Sequence, residues 1–97
     1  MHARVMTFQI DPGRFEQAER IVRESVVAAL EQQSGFKGAL ILTDASRSRS
    51  MSLTFWETEA DLTASATSGF VRDQLAKIRD FLTAAPTREA YEVRIRV

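Results

Sequence analysis

The sequence predicts an α+β sandwich in which a four-stranded sheet carries two helices on one face, and three observations carry that expectation. Apolar residues alternate with polar ones in strand-like runs, and two of these runs are separated only by a polar hairpin. Apolar stripes at helical spacing fill the two long intervals between the other runs. A length of 97 residues accommodates one core, so a single domain over residues 1–97 is expected. The resulting order of strand, helix, strand, strand, helix, strand is the split β-α-β pattern of ferredoxin-like domains.

Met6, Phe8 and Ile10 alternate with Thr7 and Gln9, which predicts a first strand over residues 3–10 with one apolar face. Asp11-Pro12-Gly13 stops it, and the same residues suit a helix start. Phe15, Ala18, Val22, Val26, Ala29 and Leu30 then fall on one stripe of a helix expected to reach Gln33. Ser34 to Gly38 supplies two glycines for the turn into a second strand, Ala39–Thr43, with Phe36 plugging the corner. Both faces of that strand are apolar, so it is expected to be central in the sheet. The polar run Asp44–Ser50 forms a hairpin into a third strand, where Met51, Leu53 and Phe55 alternate with Ser52, Thr54 and Trp56. Thr58 followed by Asp61 places a helix start near Glu59. Gly69 breaks that helix near Ser68, and Val71, Leu75, Ile78 and Leu82 resume the spacing until Ala84-Ala85-Pro86. Tyr91, Val93, Ile95 and Val97 alternate as the last strand.

Composition narrows the function classes. Lys plus Arg and Asp plus Glu each total 13, so no net field draws the chain toward nucleic acid or anionic lipid. RNA recognition on exposed strand aromatics is disfavoured further, because Phe55 and Trp56 alternate to opposite faces. No cysteine and a single histidine leave no metal centre to build, and no cofactor is expected. No stretch is long and apolar enough for a membrane span and no signal peptide is indicated, so a soluble cytoplasmic protein is expected. A sheet that is apolar on both faces but covered by helices on one needs a second copy, and two sheets packed face to face form a dimeric barrel. The expected partner is therefore a second copy of the chain.

The Pro12-Gly13 helix start, the Ser34-Gly35-Phe36-Lys37-Gly38 turn, the strand ending Phe55-Trp56-Glu57-Thr58 and the interrupted second helix together resemble the antibiotic biosynthesis monooxygenase domain family of dimeric α/β barrels. That resemblance covers nearly the whole chain. It implies a cofactor-independent oxygenase acting on a quinol- or anthrone-type aromatic, with Trp56 lining the pocket. Members that oxygenate anthrones place an asparagine four residues before the tryptophan and a tyrosine six after it, where this chain has Ser52 and Leu62. Haem-degrading members use a histidine in the second helix, where this chain has Gln74.

The expected binding site lies between the sheet and the second helix and comprises Trp56, Ser52, Phe8, Phe55, Leu62 and Phe70, with no catalytic base identified. Each has a plainer reading as core or as small polar strand residues, Trp56 as a core indole and Ser52 and Thr54 as ordinary strand positions. Tyr91 is more simply structural than a base, because an unperturbed phenol with a pKa of about 10 stays protonated near neutrality. Arg47 and Arg49 suit a solvated turn better than an anion clamp, Arg94 and Arg96 suit an edge strand, and His2 lacks any sequence neighbour that orients it. A non-catalytic dimeric domain that binds a small aromatic or apolar ligand as its partner, or merely assembles, is the alternative to the oxygenase.

Overall fold

In the computed structural model, which describes residues 1–97, the sheet is built from β1 (His2–Gln9), β2 (Phe36–Asp44), β3 (Arg49–Trp56) and β4 (Thr87–Glu92). The spatial order is β2-β3-β1-β4, and every pairing is antiparallel. Between β1 and β2 one continuous helical segment runs through α1 (Phe15–Ile21), a π-helical turn (Val22–Val26) and α2 (Val27–Glu31). Between β3 and β4 lie α3 (Glu59–Thr67) and α4 (Phe70–Ile78). The α+β class and the ferredoxin-like topology follow directly from this arrangement.

Local chemistry explains the helix ends. The Asp11 carboxylate accepts the Gly13 N–H at 3.2 Å at the start of the first helical segment. Thr58 caps α3 by accepting the Asp61 N–H at 3.1 Å, and its hydroxyl donates to the Asp61 carboxylate at 2.9 Å. The break falls at Ser68-Gly69, where Gly69 has φ 88°, a conformation that L residues other than glycine adopt only with strain.

All helices lie on one face of the sheet. Met6 and Phe8 of β1 and Ile10 just after it meet Ala18, Val71 and Phe81 in one buried cluster, with Phe15, Phe70 and Leu75 packed against it. A second cluster joins Leu30, Trp56 and Leu62, with Val26, Phe36 and Phe70 around them. Cross-strand register sets out the opposite face, where Val5, Leu53 and Leu40 form one row and Thr7, Met51 and Leu42 the next. No helix covers that face, and Leu40, Leu42 and Tyr91 remain about half exposed on it.

Three expectations require correction. β2 is an edge strand paired only with β3, because its two apolar faces serve two surfaces rather than marking a central position. The last helix ends at Ile78, and a 3₁₀ turn at Arg79–Phe81 follows. Leu82 is extended there and bridges Ile10, while flanking bonds from Asp11 N to Phe81 O (2.8 Å) and from Thr83 N to Gln9 O (2.9 Å) fix the crossing. The final strand occupies Thr87–Glu92 and stops before Val93–Val97, because β1 gives it no more partners. Glu92 already pairs with His2, and Val93 N finds only the Met1 carbonyl at 2.9 Å.

Candidate functional site

Between the helices and the sheet lies a cavity of about 290 Å³ with a predominantly apolar wall. Its floor is the inward set of alternating residues: Arg4, Met6 and Phe8 from β1 with Ile10 just beyond it, Ser50, Ser52 and Thr54 from β3, and Ile41 and Thr43 from β2. Its roof comes from Val22 and Val26 of the π-helical turn and from Phe70, Gln74 and Leu75 of α4. A π turn widens the helix locally and moves its side chains off the regular stripe, and here that widened turn faces the cavity. The exposed Glu19, Arg23 and Ile41 stand at the mouth.

The polar groups in this wall are few. Ser50 spends its hydroxyl on the Leu42 carbonyl at 3.0 Å, and Thr54 accepts the Trp56 indole N–H at 3.0 Å. The Gln74 side-chain oxygen is buried and accepts no hydrogen bond. Arg4 is only 5% exposed, yet it has no carboxylate partner. Its Nη1 donates to the Ser65 hydroxyl at 2.8 Å, its Nη2 donates to the Leu62 carbonyl at 2.9 Å, and its guanidinium carbon lies 5.9 Å from the Trp56 ring centroid. Burial, and after it the positive charge of Arg88, lower the Arg4 pKa from its ordinary value.

Of the expected site residues, Ser52, Phe8 and Phe70 line the cavity and the other three do not. Trp56 is wholly buried in the second cluster, where it meets Phe36 edge-on at a ring separation of 5.7 Å, so its expected place in the pocket wall is corrected to a core position. Leu62 packs with that indole in the same cluster and does not line the cavity. Phe55 pairs with Ala3 and Gly38 one residue out of phase with Trp56, and it belongs to the open face of the sheet.

Arg4 and Gln74 are among the polar wall residues that this set omits. The signal for Arg4 was present in the sequence: it shares the period of Met6, Phe8 and Ile10, so the same alternation that buries those three turns a cation inward.

The remaining candidates lie elsewhere. Tyr91 donates to Glu89 at 2.6 Å on exposed β4, and that bond, followed by the charge of Glu89, raises its pKa and removes it further from use as a base. Arg47 is tied to Asp44 at 2.7 Å within the hairpin, and bonds from Ser46 and Arg47 pull the Asp44 pKa down to about 2. Arg49 lies next to that hairpin, where its Nε is buried without a partner, and Arg94 pairs with Glu92 at 3.7 Å beyond the last strand. His2 is not part of the cavity wall, so the wall offers no imidazole. No group of three or more His, Cys, Asp or Glu side chains is placed to hold a metal ion. No helix is long and apolar enough to cross a membrane.

Residues 1–77 match the family model described as antibiotic biosynthesis monooxygenase. Among solved structures, the heme-degrader MhuD of Mycobacterium tuberculosis, determined with two hemes bound, aligns at 17% identity and a TM-score of 0.79, covering 100% of this chain and 99% of that one. A monooxygenase from the gene ActVA-Orf6 of Streptomyces coelicolor, in complex with nanaomycin D, aligns at 19% identity and a TM-score of 0.74, covering 99% and 89%. SnoaB, a cofactor-independent oxygenase from Streptomyces nogalater, aligns at 13% identity and a TM-score of 0.74, covering 99% and 95%. At these identities the likeness is one of fold. No curated protein sequence shows significant similarity to the chain.

Proposed function

Because the chain belongs to the antibiotic biosynthesis monooxygenase family, we propose that it is a cofactor-independent oxygenase of a small quinol- or anthrone-type aromatic, held in the cavity between sheet and helices. The single observation that carries this reading is the cavity itself. At about 290 Å³, with an apolar wall interrupted by Arg4, Ser52 and Gln74, it has the character of a small-molecule site near the lower end of the usual range of roughly 300–1,000 Å³. A compact ring system fits such a wall by shape and dispersion, and the few polar groups orient its oxygens.

In the proposed reaction the substrate loses a ring proton, and its carbanion supplies the electrons that reduce dioxygen. One oxygen atom enters the ring carbon as a carbonyl, and the other leaves with the two displaced hydrogens as water. The wall contributes exclusion of water and donors for the negative charge that develops. Haem is a poorer fit, since Gln74 stands on α4 where a histidine is needed and His2 lies outside the wall. The test is oxygen uptake with a panel of anthrones and hydroquinones. Turnover above the buffer rate is expected, and its absence across the panel removes the reading.

One observation favours a second reading, a dimeric domain that binds the aromatic without oxidising it. The wall contains no His, Tyr or Lys, and its only carboxylate is the exposed Glu19, which accepts from Arg23 at 3.4 Å. A general base within reach of a bound ring is therefore missing. Saturable binding with no product distinguishes this reading from the first.

Both readings use a second copy of the chain. The uncovered face carries Val5, Leu40, Leu42, Met51, Leu53, Phe55 and Tyr91 as neighbours in register, an apolar patch of the kind that a partner covers. Two such faces packed together close a barrel with two-fold symmetry.

A further inference from the structure

We propose that Arg4 makes the cavity selective for aromatic ligands that carry an ionised oxygen, whether phenolate, enolate or carboxylate, over neutral aromatics of the same shape. The inference rests on the aromatic-binding reading above and names the substrate class that this chain's own wall prefers.

A guanidinium has five N–H donors, and Arg4 spends one Nη1 bond on Ser65 and one Nη2 bond on Leu62. Both acceptors are neutral, so the positive charge is buried without compensation. An uncompensated buried charge is costly, and a well-packed apolar residue in its place is often neutral or stabilising. Packing alone therefore gives no reason for an arginine on the inward face of β1, whereas an anion in the adjacent cavity does. The other charged residues in the wall are Glu19 and Arg23 at the exposed mouth. From β4, Arg88 adds positive rather than negative charge beside Arg4. From α4, Gln74 presents a buried side-chain oxygen with no donor, which suits a hydroxyl on the same ring system. Arg4 also supports the site from behind, through α3 and the Trp56 ring.

The experiment compares the binding of 4-nitrophenol, 2-naphthoate and neutral naphthalene to the full chain, and follows the coloured nitrophenolate through a pH titration of the bound ligand. An apolar pocket without a cation raises the pKa of a bound phenol, whereas an opposite charge nearby lowers it by roughly 1–3 units, so the sign of the shift decides. The expected result is a bound nitrophenol pKa at least about 1 unit below its value in solution, with naphthoate bound about tenfold or more tightly than naphthalene. In Arg4→Met the shift is expected to vanish or reverse while naphthalene still binds. That variant is expected to fold, because the Leu62 carbonyl keeps the Ser65 hydroxyl at 2.6 Å as a partner. Arg4→Lys keeps the charge and is expected to retain a lowered pKa. If the ligands bind wild type but the nitrophenol pKa is unchanged or raised, selection by Arg4 is overturned and the aromatic site stands. If neither the neutral nor the acidic ligands bind, both fall.

Discussion

Replacing Trp56 by alanine tests the division between core and cavity most directly. The indole is wholly buried against Leu30 and Leu62, meets Phe36 edge-on at 5.7 Å, and donates to Thr54 at 3.0 Å. Removing a large aromatic from such a site costs about 3–5 kcal/mol, of which the edge-on aromatic pair contributes roughly 0.5–1.5 kcal/mol. A domain has only about 5–15 kcal/mol of stability in total, so the variant loses about a fifth or more of it. Urea unfolding followed by far-ultraviolet circular dichroism is the assay, since the variant has no tryptophan to report. With a slope of about 1–3 kcal/mol per M urea, the midpoint is expected to fall by about 1–5 M. The milder Trp56→Phe variant keeps most of the packing and supplies the functional half of the test. Because Trp56 does not line the cavity, this variant should bind aromatic ligands within about threefold of wild type. A midpoint shift below about 0.3 M, or a stable Trp56→Phe protein that has lost tenfold or more in affinity, refutes the assignment of Trp56 to the core.

Gly69→Ala forces an L side chain into φ 88° and should cost about 1–2 kcal/mol, read as a fall in thermal midpoint of about 4 °C or more; an unchanged midpoint contradicts the strain argument. The Asp44 carboxyl should titrate near pH 2 by NMR, below the ordinary value of 3.8, and Arg47→Ala should raise it only partway because the Ser46 bond is the larger cause. A depressed folded-state pKa means that its contribution to stability is present above about pH 4 and is lost as the pH falls toward 2. Asp44→Asn should therefore flatten that part of the acid limb, and an identical limb in both proteins argues against the assignment. Leu42→Lys places a charge in the middle of the uncovered sheet face and should convert a micromolar dimer to monomer in light scattering coupled to size exclusion. Wild type that is already a stable monomer at that concentration removes the barrel.

The parts of the fold legible in the sequence are those set by local rules. The period-two run from Met6 to Ile10, the Thr58 cap and the Gly69 break each depend on residues a few positions apart, and each is found where the pattern places it. Strand order and strand ends are not local. The run Ala39–Thr43 shows only that both faces are apolar, and it contains nothing that says whether a neighbouring strand, a cavity or open space lies beside it. Val93, Ile95 and Val97 continue a perfect alternation, but a strand also needs a partner of matching length, and β1 runs out at Met1. For the cavity wall, the inward positions of Ser52 and Phe8 are readable from alternation, whereas alternation does not say whether an inward-facing aromatic such as Trp56 ends in a cavity wall or in the core. Which one it does depends on where α2 and α3 converge, and Leu30 and Leu62 meet the indole there.

β2 joins the two halves of the functional argument. Its residues alternate between surfaces, Leu40 and Leu42 to the uncovered face and Ile41 and Thr43 to the cavity. As an edge strand it is held on one side only, by β3, and its apolar side chains are about half exposed. In the proposed dimer, a second copy packed against Leu40 and Leu42 would fix the backbone that also positions Ile41 in the cavity wall. On that proposal assembly and ligand binding would share one strand, and the edge held on one side only in the isolated chain would be the element through which dimerisation shapes the site.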